Sequence, residues 1–155
     1  MSARTFDPAR VMRSVFQLSR YWEGILDAGL RDAGVTAKQL FLLSMLEREF
    51  HGPARASVVA GKMLTSHQNI MQMARALERR GFVTVLEDPS DRRSRLIALT
   101  ATHRDYWESR DQRDQTALEE VFSGVPAEAL HQFEDLLELI LPLAAEQYRN
   151  RSGNL

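Results

Sequence analysis

"LERRGFVTVLEDPSDRRSRLIALT", residues 77–100, is the stretch from which the fold can be read. Two β-prone runs, "FVTVLE" and "RLIALT", flank "DPSDRRS", whose Pro, Asp and Ser content marks a turn. The pattern predicts a hairpin with a long tip. Gly81 suits the left-handed position just past a helix end, so the hairpin starts where a helix stops. A lone two-stranded ribbon is marginal in water, and this one must lean on helices or on a ligand such as DNA. It also carries Arg92, Arg93 and Arg95 on a chain whose net charge is −1.

Working outward, "RASVVAGKM", the turn "LTS" and "HQNIMQMARALERR" read as two helices joined tightly, with Thr65 or Ser66 as the N-cap of the second. Upstream, Val11, Val15, Leu18, Trp22, Ile25 and Leu26 recur at helical spacing, behind an Asp7 cap and Pro8 at the first position. Thr36 caps a second helix with the apolar set Leu40, Leu43, Met45, Leu46 and Phe50, and "HGPARAS" reads as a loop. Downstream, Thr100 or Thr102 caps a polar helix over about 103–122. Gly124 and Pro126 then separate it from a last helix with Leu130, Phe133, Leu137, Ile140 and Leu141 on one face. Pro142 should kink or end that helix near Leu141. The expected fold is mainly α with a small β-hairpin wing, in a single domain spanning 1–155.

Composition narrows the chemistry. With no cysteine, disulfides, thiolate catalysis, Cys-based zinc sites and thiol redox sensing are excluded. "MSARTFDPARVMRSVF" has no apolar core of signal-peptide length, and no run approaches the roughly 18 apolar residues of a membrane span, so a cytoplasmic location without membrane contact is expected. The four histidines (His51, His67, His103, His131) show no tight ligand spacing, so no metal site or cofactor is expected. There is no Gly-x-Ser-x-Gly elbow, P-loop or Gly-x-Gly-x-x-Gly, and no catalytic residues are expected.

Charge is distributed unevenly. Residues 62–95 hold seven basic and four acidic side chains (+3), whereas 101–155 hold five basic and eleven acidic ones (−6). Local basic charge is what a phosphate-binding surface needs. On a helical wheel, Ile70, Met73, Ala74 and Leu77 form the stripe of the 65–80 helix that must face a core. Gln68, Gln72, Arg75 and Arg79 lie opposite, with Thr65 and Asn69 at the edge and no carboxylate on that face. Amides pair bidentately with adenine and guanidinium with guanine, which is how base edges are read in the major groove. Thr65, Ser66 and the free N–H groups of the first turn would meet phosphate. An ordinary solvated helix face and plain capping would give the same residues.

A hairpin tip just after such a helix pair can reach the neighbouring minor groove, where narrow A·T tracts attract arginine. Arg92 and Arg93 are the candidates for that contact. Arg95 is expected to meet phosphate or Asp88, and Asp91 to shape the turn through backbone N–H groups or by holding an arginine. A solvated charge run on a loop is the plainer reading of the same residues.

The motifs together resemble the multiple-antibiotic-resistance regulator (MarR) family: Leu-Glu-x-x-Gly closing the helix at Leu77 to Gly81, Asp-x-Arg as Asp91 and Arg93, and the pair Leu99 and Thr100. The resemblance is strongest over about 36–102. It implies a winged helix-turn-helix lobe at 36–100 and a helical dimerisation region at 6–30 and 103–150. It also implies a homodimeric transcriptional regulator of double-stranded DNA, a repressor, binding a pseudo-palindromic promoter site and released by a small aromatic or anionic effector. His103 stands where the family usually has glycine, and Gln72 where many relatives have arginine. Phe16, Tyr21, Trp22, Phe41 and Phe50 could line an effector pocket; core or dimer interface is the plainer use of aromatics at helical spacing. A reading of another class is a helical interaction module whose basic face binds an acidic partner.

Overall fold

A computed structural model of the chain describes residues 6–110 and 117–152. These fall into two compact units divided between residues 111 and 112, where the sequence pattern predicts one domain. The expected helix over about 103–122 runs partly through 111–116, which lie outside the described residues.

The first unit opens with α1 (Pro8–Gly29), where the Asp7 side chain accepts from Arg10 N at 3.1 Å and Pro8 takes the first turn. Helix α2 (Ala37–Glu49) carries a full capping box: Thr36 Oγ1 accepts from Gln39 N, and Gln39 Oε1 accepts from Thr36 N. β1 (Ala54–Arg55) leads into α3 (Ala56–Lys62), and after a tight turn comes α4 (His67–Glu78). That turn holds Leu64 at φ 51°, the one non-glycine in the left-handed region among the described residues.

β2 (Val83–Asp88) and β3 (Asp91–Leu99) form the hairpin, and β1 pairs with β3 through Ala54↔Ile97 and Arg55↔Leu96. The sheet is therefore three-stranded, antiparallel, in the order β1-β3-β2. This corrects two expectations, the isolated hairpin and the all-loop "HGPARAS": two residues are too short to show alternation, yet they protect one edge of the ribbon. The long tip is also corrected. Asp88 faces Asp91 across a two-residue turn, Pro89 and Ser90. Proline's fixed φ excludes a primed turn, and an unprimed turn splays its strands. The register responds at once: from Glu87↔Arg95 to Asp88↔Asp91, β2 advances one residue and β3 four, leaving residues 92–94 without an opposite number.

The core of this unit gathers Leu42, Leu43 and Leu46 from α2, Val59 from α3, Ile70, Ala74 and Leu77 from α4, and Phe82, Val83 and Ile97 from the sheet. Thr100 closes the structure. Its hydroxyl donates to Gly81 O at 2.5 Å and accepts from His103 N at 3.2 Å, joining the α4 exit (Gly81, φ +78°) to the start of α5 (Ala101–Glu108). The Leu-Thr pair thus has a mechanical role in tying three elements together. Beyond α5, Arg110 is buried; it pairs with Asp32 and donates to Tyr106 Oη at 3.0 Å.

In the second unit, residues 117–121 are helical (α6) and α7 spans Ala127–Ser152. Pro142 lies inside α7 and does not end it, which removes the stop from the two expected outcomes, a kink or a stop. A proline removes one donor and crowds one carbonyl, and here the helical turns on both sides keep the chain in register across that single defect.

Candidate nucleic-acid interface

Helix α4 exists as a two-faced element because its ends are fixed and its stripe is regular. Ser66 is the N-cap, accepting from Asn69 N at 3.1 Å, and Ile70, Ala74 and Leu77 are fully buried. Gln68, Asn69, Gln72, Arg75 and Arg79 are then exposed together on the other side. Thr65 is half-buried, and its hydroxyl accepts from Asn69 Nδ2 at 3.1 Å, so the Asn69 amide is already engaged with the turn.

Glu78 lies to the side of this face, toward β2, and reaches Arg75 on it. Glu78 pairs with Arg75 Nη1 at 2.7 Å and accepts from Val85 N in β2 at 2.8 Å. The Val85 N–H first, and then Arg75, hold its carboxyl below the usual carboxylate range. The Arg75 pair is an i, i+3 contact within the helix, whereas the bond from Val85 N depends on the neighbouring strand.

On the wing, Arg92 and Arg93 are exposed in the unpaired 92–94 stretch, and neither is in an ion pair among the described residues. Asp91 accepts from Ser94 Oγ at 2.8 Å and from Arg93 N at 3.0 Å; those two bonds, the hydroxyl's first, lower its pKa. Arg95 does not pair with Asp88, the intramolecular partner expected for it. Its Nη2 lies 3.4 Å from Glu87, its directly opposite residue, and its Nη1 donates to Arg92 O at 2.9 Å. Asp88, the partner expected for Arg95, is buried and pairs instead with Arg55 Nε at 2.7 Å. Arg55 was missed as part of this surface because it sits 33 residues upstream, and only the β1–β3 pairing brings it near.

Phe16, Tyr21 and Phe41 are more than half exposed, while Phe50 packs against the core and lies under Lys62 Nζ at 5.8 Å. A pocket of about 390 Å³ in the same unit is lined by Glu47, Arg104, Trp107 and Glu108. No group of three His, Cys, Asp or Glu residues able to hold a metal ion occurs among the described residues. No helix among them is long and apolar enough to cross a membrane.

Residues 35–94, which span α2 through the wing, match the model of the MarR family. The matched segment is 60 of the chain's 155 residues, and over it the lobe is similar to the MarR family. The transcriptional activatory protein BadR of Rhodopseudomonas palustris is 34% identical to this chain over 76 residues, 48% of this chain and 43% of that protein. The match thus spans less than half the length of that curated relative. Among solved structures, a MarR transcriptional regulator from Methanosarcina mazei Go1 superposes with a TM-score of 0.78 at 17% identity, covering 89% of this chain and 98% of that one. Reduced AbfR bound to DNA superposes with a TM-score of 0.60 at 24% identity, covering 87% of this chain and 91% of that one. These likenesses are of fold, and the MarR winged helix is the fold they share with this chain.

Proposed function

We propose that this chain is a sequence-specific DNA-binding transcriptional regulator that acts as a homodimer, α4 reading bases in the major groove and Arg92 and Arg93 entering the adjacent minor groove. The observation that carries the reading is the exposed set Gln68, Gln72 and Arg75 on a helix whose opposite side buries Ile70, Ala74 and Leu77. Such a helix cannot rotate to hide its polar face. AbfR, of like fold, has been solved on DNA, and BadR bears the name of a transcriptional regulator, both of which support the reading.

Arg75 approaches DNA already oriented by Glu78, and Gln72 offers a free amide for adenine. Thr65 and Ser66 serve the turn and the cap; their part on DNA is to place the first-turn N–H groups near phosphate. Arg95 carries its charge at the wing base, where Glu87 shares it.

Dimerisation is supported by the exposed apolar residues of α1 and α7, and it would place two copies of α4 roughly 34 Å apart on a pseudo-palindrome. Repression follows where the site overlaps a promoter. The relative BadR is named an activator, and one grip on DNA serves either outcome. A small aromatic or anionic effector would act by changing the spacing of the two helices. An acidic protein partner for the basic face is the less favoured alternative.

Selection from a pool of randomised duplexes tests the proposal. Enrichment of a two-fold motif with half-sites about one helical turn apart is expected, and a pool that stays random would overturn it.

A further inference from the structure

The base of the wing is held by a closed ring of three side chains from two distant segments. Asp88 Oδ1 accepts from Ser90 N at 2.8 Å and Ser90 Oγ at 2.6 Å, Asp88 Oδ2 accepts from Arg55 Nε at 2.7 Å, and Arg55 Nη2 donates to Ser90 Oγ at 2.8 Å. Every partner is used: the Ser90 hydroxyl gives its proton to Asp88 and receives one from Arg55. Asp88 is 4% exposed, and a carboxylate buried to that degree must be paired and hydrogen-bonded. Arg55 stands on the outermost strand, next to β3, while the residues it holds lie on β2 and in the turn. One side chain therefore fixes how the turn is aimed relative to the start of α3.

Neighbouring features make this aim consequential. The turn splays its strands, and residues 92–94 have no opposite number, so nothing in the ladder itself fixes the direction of Arg92 and Arg93. Asp91 braces the stretch only from within, through Arg93 N and Ser94 Oγ. The link to the rest of the lobe near the turn is Arg55.

We propose that Arg55 is a positioning residue for DNA recognition: by closing the ring with Asp88 and Ser90 it aims the wing, so that Arg92 and Arg93 meet the minor groove at a fixed distance from α4. This rests on the DNA-binding reading above. Arginine is required at the position rather than positive charge alone, because Nε and Nη2 must donate to two acceptors at once, which an ammonium on a flexible stem does not reproduce.

The test uses the full-length chain and a duplex that the wild-type protein selects from a random pool, footprinted with hydroxyl radicals. Arg55→Ala is expected to keep protection at the centre of each half-site and to lose it at the outer flanks, with affinity down about tenfold, the scale of one lost contact. Arg55→Lys should share most of that loss, and Ser90→Ala, which removes the hydroxyl while keeping the Arg55–Asp88 pair, should show it in weaker form. If Arg55→Ala does not fold, Arg55→Lys and Ser90→Ala carry the test. Flanks still protected in folded variants would overturn the proposal, and so would centre and flanks weakening in proportion, the mark of general destabilisation. A wild-type protein that enriches no duplex would instead overturn the DNA-binding reading itself.

Discussion

The winged-helix lobe and the terminal helices are both built from amphipathic segments, yet they treat their apolar residues in opposite ways. In the lobe, Leu42, Val59, Ile70, Leu77 and Ile97 are fully buried against one another. In α1 no residue is buried, and Val15, Phe16 and Tyr21 are more than half exposed. In α7, Leu136, Leu139, Ile140, Leu141 and Leu143 are too. Isolated apolar residues on a surface need no explanation, but a series of them along a helix does. The lobe completes itself, whereas the helices carry apolar surface that another surface must cover.

The largest expected effect breaks the self-sufficient side. Leu77→Ala or Ile97→Ala, each made at a fully buried site, should cost about 2–5 kcal/mol in urea unfolding, because the truncation leaves a cavity the packed sheet cannot close. The next breaks the other side alone. Ile25→Asp combined with Leu139→Asp should weaken self-association about a hundredfold or more in sedimentation velocity while the lobe keeps its near-UV circular dichroism. Loss of the lobe signal in that variant would show that the two regions do not divide as described. On DNA, Gln72→Ala should cost about 1–3 kcal/mol and relax one base preference, while Arg93→Ala should weaken binding with little change in preference at the major-groove bases.

The smallest effect concerns the boundary between the regions. His103 is buried beside Trp107, and burial, helped by Arg104 and opposed by Glu47, lowers its pKa from the ordinary 6.5. The unfolded chain takes up this proton more readily, so stability should be level above about pH 7 and decline as pH falls below that value. His103→Gln should flatten the decline above pH 5. Glu78, Asp88 and Asp91, whose pKa values are also lowered, contribute stability that is lost only at more acidic pH, so the two phases separate.

Local rules explain what was legible. Caps at Asp7, Thr36, Ser66 and Thr100, the Gly81 stop and the α4 stripe depend on a few adjacent residues, and each stands where its residue types predict. What escaped was long-range. Two-residue β1 has no pattern to detect, Glu78 accepts from Val85 N in a different element, and Arg55 meets Asp88 across 33 positions. Whether a helix continues past Pro142 depends on the turns on both sides, which the proline alone does not set. The candidate DNA-facing residues on α4 were readable from the wheel, while the contacts that hold the wing required the fold.

One affinity ratio tests most directly whether α4 reads sequence. At a single stated salt concentration near physiological, the chain should bind the DNA upstream of its own gene about a thousandfold or more tighter than a random duplex of equal length. Gln72→Ala should reduce that ratio without changing the affinity for random DNA. Equal affinity for the two duplexes would contradict the claim that α4 reads sequence.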